Sequence, residues 1–89
     1  MIKRKRYYIH SSGFKLEEKS FFKDKTIKLG GLYHENMMFG TTHLIANNVL
    51  NAKYRIAKTL GLKIVSKSWF DSSCLRGEFI EEEDFELKP

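Results

Sequence analysis

The feature that most limits the fold is a short, largely apolar run, Thr42-His43-Leu44-Ile45-Ala46, in which polar and apolar positions do not alternate. A strand with one wet face alternates. A strand that is apolar throughout is covered on both faces, as in parallel sheets whose crossover helices lie above and below. The flanking sequence supplies such crossovers. Tyr7, Tyr8 and Ile9 form a β-prone run that stops at His10-Ser11-Ser12-Gly13. Residues 14–29 read as a helix, with Leu16, Phe21, Phe22, Ile27 and Leu29 toward one face and Gly30-Gly31 closing it. A second strand, 32–35, and a turn region, 36–42, lead into the apolar run. Asn47 and Asn48 break that run, and Asn51 is a natural N-cap for a helix reaching Leu60, with Gly61 just past its end. Lys63, Ile64 and Val65 make a fourth strand, and Ser66 or Ser68 caps a third helix that Gly77 ends. The order β-α-β-β-α-β-α predicts an α/β fold with a largely parallel sheet.

The 89 residues suit one domain spanning the chain, and 42% apolar content supplies its core. No apolar run is long enough to cross a bilayer, and no apolar stretch follows the basic start, so neither membrane contact nor a secretory signal is expected. The single cysteine, Cys74, fits a reducing compartment. Charge is unevenly spread within a net +5. Lys3, Arg4, Lys5 and Arg6 make a basic start (an arm over residues 1–5), while Glu81, Glu82, Glu83 and Asp84 stand in an acidic tail over residues 80–89. Charge runs this short read first as solvated surface, with Ile80, Phe85 and Leu87 available to pack back. The basic balance still favours anionic partners, nucleic acid or phosphorylated protein.

In open parallel sheets, ligands collect beyond the carboxyl ends of the strands. The first strand ends in Ser11-Ser12-Gly13, and the third leads through Asn47 to Leu50 into the second helix. If these strands are neighbours, the Ser12 hydroxyl and the Gly13 N–H face that helix's N-terminus, whose free N–H groups favour an anion. Lys53, in the first turn, adds a full charge. A hydroxyl, an amide and an ammonium together suit a phosphate monoester. An ordinary Ser-Gly turn beside a solvent-exposed lysine fits the same spacing.

These residues resemble a BRCT domain, the phosphopeptide-binding module of DNA-damage-response and replication proteins. The resemblance covers nearly the whole chain. It rests on Ser12-Gly13-Phe14, Gly30-Gly31, Thr42-His43-Leu44-Ile45, Lys53-Tyr54, Ala57, Gly61 with Ile64-Val65, and Trp69 followed by Cys74 and Gly77. It implies a four-stranded parallel sheet of order 2-1-3-4, with two helices on one face and one on the other. It implies that Ser12, Gly13 and Lys53 hold a phosphate, with Asn51 as a further polar contact, and that Trp69, Gly30 and Gly31 are structural. The nearest flavour is the multi-BRCT checkpoint scaffold, including the topoisomerase-binding type, which implies a nuclear location. Phosphoserine or phosphothreonine proteins are the implied partners, with sister BRCT domains and DNA as further ones.

Trp69 on the inner face of a helix reads as core. Cys74 with His10, His34 and His43 lacks any paired metal-ligand spacing, and His43 reads as a locally bonded strand residue. Glu81 to Asp84 read as solvated rather than catalytic. No enzyme, metal or cofactor is expected. Two alternatives stand beside phosphopeptide binding. One is DNA binding through the basic arm and Lys15, Lys19, Lys23, Lys25 and Lys28. The other is a structural domain that packs on a sister domain or dimerises.

Overall fold

A computed structural model describes residues 5–89; the basic arm expected at residues 1–5 therefore lies, except for Lys5, outside the described residues. The elements follow the expected order: β1 (Tyr8–Ser12), α1 (Leu16–Lys28), β2 (Leu32–Tyr33), β3 (His43–Ala46), α2 (Ala52–Thr59), β4 (Lys63–Val65) and α3 (Lys67–Arg76), then a 3₁₀ turn at Glu83–Phe85. The sheet is parallel throughout, in the order β2-β1-β3-β4.

β1 runs on through Ser12, beyond the stop expected at His10, because β3 offers partners from Ile9 to Ser12. The register pairs Ile9 with His43 and ends with Ser12 on Ala46. Successive side chains of a strand point to opposite faces. Ile9, Ile45 and Val65 accordingly pack with Phe22 of α1 and with Trp69 and Phe70 of α3. Leu44, Ala46 and Ile64 pack with Tyr54 and Ala57 of α2. Two helices thus cover one face and one covers the other.

α1 differs from its expected reading in two respects. It begins at Leu16, because Phe14 serves as a core residue of the connection, its ring edge-on to Phe22 at 5.0 Å. Its buried positions are Phe22 and Thr26, one helical turn apart, whereas Leu16 and Ile27 are exposed. Both lie well around the helix from Phe22 at 100° per residue, so the expected grouping of Leu16 and Ile27 with Phe22 is wrong. The closing glycines divide their work. Gly30 takes a left-handed φ of 97°, and the Gly30 and Gly31 amides donate to Ile27 and Thr26, the two bonds of a Schellman closure. Gly31 is required by close approach: a Cβ there would lie 2.8 Å from the Tyr7 carbonyl oxygen and 3.1 Å from the Phe79 ring.

The tail is a structural element, with Leu87 and Phe85 packed back as expected. The Leu87 amide donates to Ile64, the Ser66 amide to Phe85, and the Tyr54 hydroxyl to the Leu87 carbonyl. Within the tail, Glu82 is buried, which corrects the solvated reading of that acidic run. Its carboxylate accepts from His43 Nε2 at 2.6 Å, so the His43 imidazole is bonded both locally, to Thr42, and across 39 residues. The His43 ring stacks on Trp69 (centroids 5.2 Å apart, 10° between planes), and the Trp69 indole N–H donates to the Ile80 carbonyl at 2.9 Å. Trp69 is fully buried, as its core reading required.

Trp69→Ala should destabilise the fold by about 3–5 kcal/mol, measured by urea unfolding. Acid should also destabilise it. Burial pushes the His43 imidazole below its ordinary value of 6.5 despite the Glu82 carboxylate, and burial does the same to His10. For Glu82, burial pushes the carboxyl up, but the His43 hydrogen bond, its own backbone amide and the charges of His43 and Lys5 hold it below its usual value. All three groups bind protons less readily when folded. Stability is then full above pH 6.5 and is lost as pH falls through the imidazole and carboxylate ranges. A urea midpoint unchanged between neutral and mildly acidic buffer would contradict this assignment.

Candidate anion-binding site

The pairing of β1 with β3 brings the end of β1 to the start of α2. Ser12, recessed at 6% exposure, meets Asn51, the N-cap of α2. Asn51 has a fixed orientation. Its Oδ1 accepts from the Tyr54 amide at 2.9 Å, so the amide it presents to Ser12 is the donor Nδ2, 3.3 Å from Ser12 Oγ. With Asn51 donating to its oxygen, Ser12 keeps its own proton to donate. The cap uses one first-turn amide, and those of Ala52 and Lys53 precede any intrahelical bond.

Gly13 follows with φ 87°, a left-handed value that disfavours side chains. Its carbonyl accepts from Asn47 Nδ2 at 2.6 Å, and a Cβ on Gly13 would fall 2.3 Å from Asn47 Oδ1. Asn48 Nδ2 donates to Asn47 Oδ1 at 3.0 Å, and Asn48 Oδ1 accepts from the Leu50 amide at 2.9 Å. The asparagines that read in the sequence as strand breakers therefore form a relay that fastens the Ser12-Gly13 turn to the β3–α2 loop. Only the proximity of two remote segments reveals that relay.

Lys53, an exposed residue, ends with Nζ 3.0 Å from Nε2 of His10. In the sequence, His10 reads as part of a strand end. It is buried at 2% exposure on the same face of β1 as Ser12, and its Nδ1 lies 2.9 Å from the His34 carbonyl oxygen. A carbonyl only accepts, so Nδ1 carries the proton and Nε2 offers its lone pair to the lysine ammonium. Burial pushes His10 below its ordinary value; the His34 carbonyl opposes this, and Lys53 and Lys19 add to it. The structure thus brings Ser12, Gly13 and Asn51 together at the head of α2 and ties Lys53 to the same strand. Gly30, Gly31 and Trp69 stand elsewhere, in structural positions.

Residues 7–69 match the family model of the twin BRCT domain. The chain belongs to the BRCT family. No curated protein sequence matches it. Among solved structures, this BRCT domain is similar to the complex of Rad4 BRCT1,2 with an Mdb1 phosphopeptide, at 24% identity and a TM-score of 0.85 over 93% of this chain and 46% of that one. It is similar to the first BRCT domain of the DNA-repair protein XRCC1, at 25% identity and a TM-score of 0.83 over 93% of this chain and 64% of that one. It is also similar to the BRCT5-BRCT6 domains of S. pombe Brc1, at 28% identity and a TM-score of 0.77 over 94% and 38%. The chain thus spans less than two thirds of each of these. The Rad4 likeness carries the fold alone.

A side chain at Gly13 should be costly for two separable reasons. Gly13→Ala should lose about 1–2 kcal/mol from backbone strain, and more from displacing Asn47. Asn47→Ala should lose about 1 kcal/mol. Because one term is shared, the double variant should lose less than the sum, measured in a urea double-mutant cycle. Additive losses would mean that the two residues do not act together.

Proposed function

We propose that this BRCT domain is a protein-interaction module that captures phosphoserine or phosphothreonine on a partner protein through Ser12, Gly13, Lys53 and Asn51, without catalysis. The observation that carries the reading is the meeting of Ser12 with Asn51 at the capped start of α2, with Lys53 held at His10, two residues before Ser12 on the same face of β1. The phosphate sits at that helix start and accepts hydrogen bonds from the Ser12 hydroxyl, the Gly13 amide and the Lys53 ammonium. Asn51 keeps the Ser12 hydroxyl oriented and offers its amide as a further donor. Charge-assisted bonds from fixed donors favour a doubly charged monoester over a hydroxyl or a carboxylate. The setting we infer is the nucleus, in DNA-damage response, repair or replication checkpoint control, within a scaffold of several BRCT domains. Rad4 BRCT1,2, a pair of such domains, binds phosphopeptide. A sister domain would then supply contacts beyond the phosphate.

DNA binding finds less support. Lys23 on α1 is paired with Glu35 at 2.8 Å, and Glu17 and Glu18 interrupt the lysines of its first turn.

The test is fluorescence-anisotropy titration of a degenerate phosphoserine and phosphothreonine peptide pool against its unphosphorylated twin. Phosphorylated peptide should bind and its twin should not. Ser12→Ala and Lys53→Met should each weaken binding at least about tenfold, the loss expected for a hydrogen bond to a charged group, with the fold retained by NMR. Variants that bind like the wild type would refute the site. Strong DNA binding with a steep salt dependence and no phosphopeptide binding would favour the DNA reading.

A further inference from the structure

Among the described residues, one buried titratable group has no part in the core or in direct phosphate contact: His10. A polar ring at 2% exposure between sheet and helix needs both nitrogens satisfied, and here both are. Nδ1–H is committed to the carbonyl of His34, the residue that follows β2. Nε2 faces Lys53 of α2, two residues beyond the Asn51 that touches Ser12. His10 and Ser12 sit on the same face of β1, so the ammonium bonded to His10 is fastened to the strand that ends in the anion site.

We propose that His10 is the positioning residue of this site: as a neutral, Nδ1-protonated imidazole it holds the Lys53 ammonium beside Ser12, and on protonation it releases it, so that phosphate capture weakens in acid. The proposal rests on the phosphate-binding reading of Ser12, Gly13 and Lys53. Protonation places a hydrogen on the bare Nε2, consumes the lone pair that accepts from Lys53, and sets two cations 3.0 Å apart. The lysine must then swing away from β1. The groups facing His10 from each packed element favour the neutral ring at neutral pH. Lys53 from α2 and Lys19 from α1 are like charges; Glu35, beyond β2, is the one opposite charge among them, and it is paired with Lys23. The Tyr33 ring lies at a tilt 6.3 Å away, its hydroxyl bonded to Ser11.

The experiment uses the 89-residue chain in two arms. The first follows the His10 ring nitrogens by NMR through a pH titration, in wild type and Lys53→Met. Wild type should show the Nδ1–H tautomer, and Lys53→Met should move the His10 midpoint upward. An Nε2–H tautomer, or a midpoint that the variant does not move, overturns the proposal. The second arm measures affinity for a short peptide with one phosphoserine, from about pH 7.5 to about pH 5.5, in wild type, His10→Gln and His10→Leu. The second ionisation of the phosphate, at about 6, acts alike on all three and cancels in their ratios. Glutamine keeps a non-titrating acceptor, so it should bind like wild type at the upper pH and fall less in acid. Leucine removes the acceptor and should bind about tenfold more weakly at the upper pH, with its fold intact by NMR. Leucine binding as tightly as wild type, or superimposable glutamine and wild-type profiles, overturns the proposal. A wild-type chain that ignores the phosphopeptide refutes the phosphate reading and acid-sensitive capture together, while the NMR arm still decides whether His10 holds Lys53.

Discussion

The parallel pairing of β1 with β3 carries the rest of the architecture. Because β1 is interior, with β2 on one side and β3 on the other, both of its faces need cover, and the crossovers must place helices on both. The same pairing runs to Ser12 on Ala46, so the chain leaving β1 and the chain leaving β3 emerge side by side. One departs into α1 and the other into α2. The crevice between those departures is where Ser12, Gly13 and Asn51 gather. A shift of one residue in register would turn Ser12 and His10 to the α1 and α3 face and leave Lys53 without its acceptor.

The two faces of the sheet are built differently. One is an aromatic cluster in which Trp69, Phe70, Phe22 and Phe79 pack against Ile9, Ile45 and Val65. His43 and Glu82 sit at its edge as a buried hydrogen-bonded pair, so the tail is held by a specific polar contact as well as by Phe85 and Leu87. Such pairs contribute little net stability beside well-packed apolar residues, but breaking one leaves a costly orphan. The other face is smaller and includes polar positions, His10 and Ser12, under the first turn of α2. Both faces therefore bury polar groups beside apolar ones: His43 and Glu82 on the larger, His10 and Ser12 on the smaller.

Much of this was legible before any coordinates. The apolar run at β3 announced a doubly covered strand, and Asn51 and the glycines marked helix ends that the structure keeps. The Ser12-Gly13 turn and Lys53 stood out by residue type at the end of a strand and the start of a helix. Less legible were the groups whose role depends on a partner far along the chain. Glu82 looks like its three acidic neighbours, and only the docked tail distinguishes it. His10 looks like a strand-end polar residue until Lys53, 43 residues later, meets it. Asn47 reads as a strand breaker, a local role that hides its grip on the Gly13 carbonyl.

The sequence alone determined the order of elements, their helix stops and the kinds of side chain available to the site. Those follow from local backbone preference and from the periodicity with which apolar residues recur. Only the tertiary structure decided which face of α1 is buried, that one acid of the tail is interior, and that the lysine of the site rests on a histidine. The last two are pairings between groups 39 and 43 residues apart, set by strand register and helix placement. Local propensity carries no information about them, because the energy of a buried polar group depends on what it meets once it is out of water.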